Sequence, residues 1–266
     1  MRKNLIIFML ALFAMPTFAQ NIEKVDVSKA PNGKFTSQVG DCTVEGTVLN
    51  GQKDGTWIEY YNSPAYLPKT IVNYKNGKKD GAFLEIDKTG SITQKAEYKD
   101  NVLNGQVSHW YRGGRLSKMN TYKNGVMDGE QIVCYEKGGN QEVSHYKNGQ
   151  RDGETSWFDE NGNKKMTINY KEGAFEGKQE TFYPDGTLKS TKVFKNNKQT
   201  SDAVEYYENG SVKSEATYKD GKLQGKVKTY EKKAVSVDSK QVKEKDKEKD
   251  VKKLDVKKNP IGTSKK

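Results

Sequence analysis

The chain has 266 residues, 33% of them hydrophobic, and a mean hydropathy of −0.97, which is too little apolar material for one large globular core. Its formal charge of +11 is concentrated at the end: residues 232–266 carry thirteen lysines against six acids, so the segment before them is close to neutral. A compact enzyme is therefore not the default expectation, while twenty-five glycines, fifteen tyrosines and only six prolines favour many short strands joined by tight turns.

In chain order, Arg2 and Lys3 precede an apolar run from Leu5 to Met15, then Pro16 and "TFA" before Gln20. Eleven apolar residues fall short of the ~20 needed to span a bilayer, so residues 1–19 are expected to be a cleaved signal peptide, leaving no transmembrane helix. The mature chain would then start near Gln20 and be exported to the periplasm, the outer surface or the medium of a bacterium. No cysteine follows Ala19, so a lipoprotein anchor is not expected. Residues 20–43 form an N-terminal lead-in.

A repeat begins at 44 and continues to 231. Its first turn, "VLNGQKDG" at 48–55, is followed by a longer loop, "NSPAYLP" at 62–68. Thereafter Tyr74, Tyr98, Tyr122, Tyr146, Tyr170, Phe194 and Tyr218 recur every 24 residues. Gly81, Gly105, Gly129, Gly153 and Gly177 keep the same interval, which fails at Ser201 and returns at Gly225. A second series runs between them from Gly90 to Gly210. Such a clock implies one supersecondary unit stacked on copies of itself. Asn-Gly and Asp-Gly between alternating residues predict a type I′ hairpin in each unit, with Asn101 and Asn197 standing in where glycine is missing.

Counting from the Asp-Gly glycine, the fifth residue onward is apolar or aromatic in every unit: Tyr60, Ile86, Trp110, Cys134, Phe158, Phe182, Tyr206 and Tyr230. Alternation makes this the expected core column, joined by Ile92, Leu116, Leu188 and Val212, which share parity with the repeated tyrosines. Cys42 and Cys134 would meet an oxidising compartment, yet this register separates them by many strands, so no internal disulfide is expected.

The sixth residue onward holds Tyr61, Tyr111, Tyr135, Tyr183 and Tyr207 on the opposite face, with Trp57 and Phe83 beside them. Trp57 and the five tyrosines are candidate partner-binding residues, since amphipathic rings suit recognition surfaces. The alternative is that the rings only cover the second face of a sheet. A row of acids, Asp54, Asp80, Asp128, Asp152 and Glu176, could cap turns or stack calcium ligands; its interruption by Asn104, Thr200 and Gln224 favours capping. His109 and His145 occupy different repeat positions, and no nucleophile, metal or phosphate motif accompanies them. No catalytic residue, cofactor or metal is expected.

The segments "GTWIEYYNS", "GQVSHWYRGG", "GETSWFDENG" and "GKQETFYPDG", with "AVEYYENG" followed by "YKDG", resemble MORN-type repeats. The likeness is to the variant repeats of bacterial proteins of the YwqK-type antitoxin family, and it covers roughly residues 44–231. It implies an all-β fold, an elongated, curved single-layer antiparallel sheet of stacked 24-residue β-hairpin repeats. It also implies an adaptor that binds proteins or membrane surfaces, relatives being labelled as antitoxin components. "FKNNKQTS" at 194–201 departs from the pattern and predicts local irregularity.

Residues 232–266 are mostly Lys and acid without aromatics and predict a disordered tail that could contact anionic surfaces. Taken together, the residues point to an exported, non-catalytic scaffold that binds a protein partner or an envelope component, lipid or glycan. Nucleic acid is not expected on the exported side. The alternatives are an antitoxin-like protein that neutralises a toxin partner and a cell-surface glycan binder using the tyrosine stripe.

Overall fold

The computed structural model describes residues 20–233, so the expected signal peptide and residues 234–266 of the expected tail lie outside the described residues. A short helix, α1 (Gln20–Lys24), precedes the strands β1 (Gly33–Val39), β2 (Cys42–Leu49), β3 (Gln52–Tyr60), β4 (Pro68–Lys75), β5 (Lys78–Ile86) and β6 (Ile92–Lys99). The chain continues through β7 (Val102–Leu103), β8 (Gly105–Trp110), β9 (Leu116–Lys123), β10 (Val126–Cys134), β11 (Asn140–Lys147), β12 (Gln150–Arg151) and β13 (Gly153–Phe158). It closes with β14 (Lys164–Lys171), β15 (Ala174–Phe182), β16 (Leu188–Lys195), β17 (Lys198–Gln199), β18 (Ala203–Tyr206), β19 (Val212–Lys219) and β20 (Lys222–Thr229). Every pairing is antiparallel and joins chain neighbours, the split strands β7/β8, β12/β13 and β17/β18 each lying along one partner. The result is one open sheet of twenty strands, as the repeat predicts, although it already starts at Gly33.

Turn chemistry explains the meander. Asn76 and Gly77 have φ of 49° and 76°, the pair of positive angles that a type I′ turn demands, and Asn101 and Asn197 adopt 69° and 65° where glycine is absent. Each such turn also docks on the preceding unit. The amides of Gly77, Gly125, Gly149 and Gly173 donate to the carbonyls of Lys53, Leu103, Met127 and Arg151 at 2.8 Å. Acids of the Asp-Gly row reinforce this contact: Asn76 N donates to Asp54 Oδ1 at 3.3 Å, Asn148 N to Asp128 Oδ2 at 3.1 Å and Asn196 N to Glu176 Oε2 at 3.0 Å. The acids thus cap a turn, but the turn belongs to the next unit.

Two irregularities recur per unit. At the Asp-Gly step three residues face one, as where Gln131 pairs Asn120 while Met127 pairs Tyr122, leaving Thr121 opposite. A Cβ on Gly129, whose φ is 123°, would come within 3.0 Å of the Thr121 side chain. The second irregularity is a one-residue bulge on the returning strand: Glu85 pairs Gln94 and Ile86 pairs Ile92, so Thr93 is extra. The same bulge leaves Lys69, Ser117, Gln141, Lys165, Lys189 and Lys213 extra at 24-residue intervals.

This bulge corrects the expected core. Ile86 does face Ile92, and Trp110 faces Leu116, but the extra residue reverses the alternation, so Ile92 and Tyr98 lie on opposite faces. The buried face carries the second residue after the Asp-Gly glycine, Trp57, Phe83 and Val107, with Val72 and Ala96 between them. In the expected column only Cys134 is buried, and it and Cys42 are both free, as the register predicts. On the buried face the repeated tyrosines alternate with one residue from each following strand. Tyr98 pairs Leu103, Tyr122 pairs Met127, Tyr146 pairs Arg151 and Tyr170 pairs Phe175, whose ring lies 5.1 Å from that of Tyr170.

A single-layer sheet cannot bury its own apolar face. At the first units α1 and the segment after it perform that task, laying Ile22, Val25 and Val27 over Val44, Val48, Trp57 and Val72. Lys53 Nζ anchors the segment through the Val25 carbonyl at 2.9 Å, and Asn50 N donates to Asn32 Oδ1 at 2.6 Å. Beyond this cover the row turns polar, and part of it bonds to itself: Gln131 Nε2 donates to Asn120 Oδ1 at 2.7 Å and Ser144 Oγ donates to Gln131 Oε1 at 3.3 Å.

Candidate interaction surface

Each tyrosine of the predicted stripe opens a hairpin loop. Its amide closes the loop, as in Tyr111 N to Arg115 O and Tyr183 N to Thr187 O, both 2.8 Å. The hydroxyl reaches into the next unit and donates to a carbonyl at or just beyond the end of the strand there. Tyr61 bonds Ile86, Tyr135 bonds Phe158 and Tyr183 bonds Tyr206 at 2.8 Å; Tyr111 bonds Cys134 and Tyr207 bonds Tyr230 at 3.0 Å. The five residues therefore line one edge of the sheet, their polar tips clamp neighbouring units together, and the half-buried ring faces are what a partner could meet.

Trp57 does not join them. Its side chain is 0% exposed beneath the N-terminal cover, and its Nε1 donates to the Thr47 carbonyl at 3.1 Å. The physical reason lies across the strand: a Cβ on Gly46 would stand 2.2 Å from the indole, so glycine leaves the space that the ring fills. Trp57 is a core residue and not part of a binding surface.

Along the tyrosine edge a cleft of about 660 Å³ lies between the loops that follow β13 and β15. Trp157, Met166, Phe182, Tyr183 and Pro184 give it an apolar floor. Lys164, Lys165 and Lys189 also line it with one acid, Asp159, and Lys164 lies 3.7 Å from Glu154 outside the lining. Lys165 and Lys189 are bulged residues one unit apart, and Lys189 Nζ sits 5.6 Å from the centre of the Tyr183 ring. Asp159 is committed to its own loop: its carboxylate accepts from the Asn163 side chain and from the amides of Asn163 and Asn161, which hold its pKa below the usual carboxylate range. Tyr61 borders a second cleft of about 480 Å³ with Lys88 and Arg112. Tyr183 was visible from sequence alone, whereas its lysines and Trp157 were not. The signal was there in Lys165, Lys189 and Lys213, spaced by 24, and became meaningful only once the bulge was known.

Other polar groups are absorbed by the fold. His109 and His145 lie on β8 and β11, and burial followed by the charge of Lys118 holds His109 below the ordinary imidazole range. Arg151 is enclosed by the rings of Tyr146, Trp157 and Tyr170, bonding Glu142 Oε1 at 2.6 Å and Tyr146 Oη at 3.2 Å. Among the described residues no group of three or more His, Cys, Asp or Glu could hold a metal ion, and no helix is long and apolar enough to cross a membrane.

Residues 151–172, 175–196 and 200–220 match the MORN repeat variant. These three repeats contain both sides of the larger cleft. MORN repeats are non-enzymatic repeats of protein or membrane interaction. The comparison with curated proteins finds no match.

Proposed function

We propose that the protein is an exported, non-catalytic scaffold whose loop-edge cleft at Trp157, Met166 and Tyr183 receives an anionic group of a protein or envelope-surface partner. The observation that carries this reading is the combination, within the matched repeats, of an apolar floor with three lysines against one locally committed acid. The apolar floor supplies contact area, and the rim lysines supply attraction that weakens with salt. Export rests on the basic and apolar pattern of residues 2–19, and mass spectrometry finding an N-terminus other than one near Gln20 would remove it. An antitoxin-like neutraliser would use the same cleft for one protein partner; a glycan binder would stack sugars on the tyrosine rings.

Site-specific photo-crosslinking tests the site. A crosslinker at Pro184 or Lys189 should trap the partner in envelope extract, whereas one at Lys147, on the opposite edge beside the Asn148 turn, should not. Equal trapping at both edges would sink the proposal.

A further inference from the structure

The row of residues across the buried face is apolar at one end, mostly polar in the middle, where Ile168 is the exception, and apolar again at the other. It runs from Trp57, Val72 and Phe83 through Asn120, Gln131 and Ser144 to Ala203, Ala216 and Val227. The first end is covered by Ile22, Val25 and Val27; the second has no cover among the described residues. Equivalent positions differ accordingly. Val48 pairs Lys53, which is half-buried, and Trp57 nearby is 0% exposed. Tyr218 pairs Leu223 in the same register beside Val227, and Leu223 and Val227 are 44% and 48% exposed.

The chain contains a second copy of the covering segment. "KVDVSKAPNG" at 24–33 and "KLDVKKNPIG" at 253–262 share Lys, Asp, Val, Lys, Pro and Gly at the same six offsets, with Val25 answered by Leu254. The likeness extends upstream, where Ile22 is answered by Val251, so all three residues that cover the first units have apolar counterparts. We infer that residues 251–262 form a second cap, which lies on the apolar face of the last units and covers Leu223 and Val227 within the same chain. Reach supports the same chain as the source. The stretch 234–250 can extend to roughly 55 Å, many times the ~5 Å spacing between strands, and a short tether gives an effective concentration in the millimolar range. The polar anchor of the first cap is not repeated, because Leu223 stands where Lys53 holds the Val25 carbonyl, so this contact is apolar.

Hydrogen exchange of the full chain, compared with the variant L254D/V256D, tests the cap. Both substitutions lie in the tail and leave the sheet's own residues unchanged. Amides of residues 212–229 should exchange about tenfold faster in the variant, and a free peptide of residues 249–263 should restore protection to a chain ending at Lys233. Protection in the full chain should not depend on protein concentration. Equal exchange in the full chain and the variant overturns the inference. So does protection that rises with concentration alongside a dimer in light scattering, which would make a second copy the occupant.

Discussion

Replacing Gly46 by alanine probes the corrected core directly. The added Cβ would stand 2.2 Å from the Trp57 ring, a distance no packed carbon tolerates, and the backbone of Gly46 is not in the left-handed region, so the cost is purely steric. Overpacking of this kind costs about 1–3 kcal/mol. Trp57→Ala removes a ring that is 0% exposed and lies 5.7 Å from Phe35 and 6.4 Å from Tyr74, which should cost about 3–5 kcal/mol. In the double variant the new methyl group occupies part of the space the indole vacated. The combined loss should therefore be smaller than the sum by on the order of 1 kcal/mol or more, since contacting residues couple. Urea unfolding followed by circular dichroism measures all three. Additive losses, or a Gly46→Ala variant as stable as the parent, would refute the packing of Trp57 on Gly46 and the choice of face with it.

Tyr135→Phe deletes the 2.8 Å bond to the Phe158 carbonyl and should lower stability by about 1 kcal/mol in the same assay; Tyr183→Phe should add a similar loss independently, the two clamps being two units apart. No loss in either variant would contradict the clamping role. His109 has its pKa lowered in the folded state, so the unfolded chain binds the proton first. Its contribution is present above the unfolded imidazole value of ~6.5 and is lost as pH falls toward the folded value. His109→Gln should accordingly flatten the stability profile as pH falls below the unfolded imidazole value, and an unchanged slope would show that the imidazole is not responsible.

The repeat, the turns and the sheet were legible because each depends on local chemistry that recurs unaltered. Asn-Gly specifies a turn wherever it stands, and even Asn101 and Asn197 take the left-handed angles assigned to them. Pairing of the fifth-position column with Ile92 and Leu116 was also readable. The buried face was not, because a single extra residue such as Thr93 changes parity without leaving any mark in composition. Tyr61 to Tyr207 were legible as a recurring series, but their position at the loop edge and their hydroxyl bonds to the following unit needed the strand register. Trp57 looked like a surface ring because its cover, Ile22 to Val27, lies outside the 24-residue repeat and its packing on the sheet needed the fold. The cleft lysines were hidden by the same bulge that hid the core.

The most direct test of the scaffold reading is the affinity of the partner captured from envelope extract, measured at low and high salt for the full chain and for K165E/K189E. Both lysines lie at the cleft, and each is a bulged residue. A cleft that recognises an anionic group predicts affinity at least about tenfold weaker for the variant at low salt, a gap that narrows at high salt, and unchanged thermal stability. Affinity that is unaffected by K165E/K189E yet lost from a chain ending at Lys233 would contradict it, placing recognition in the tail and not on the sheet.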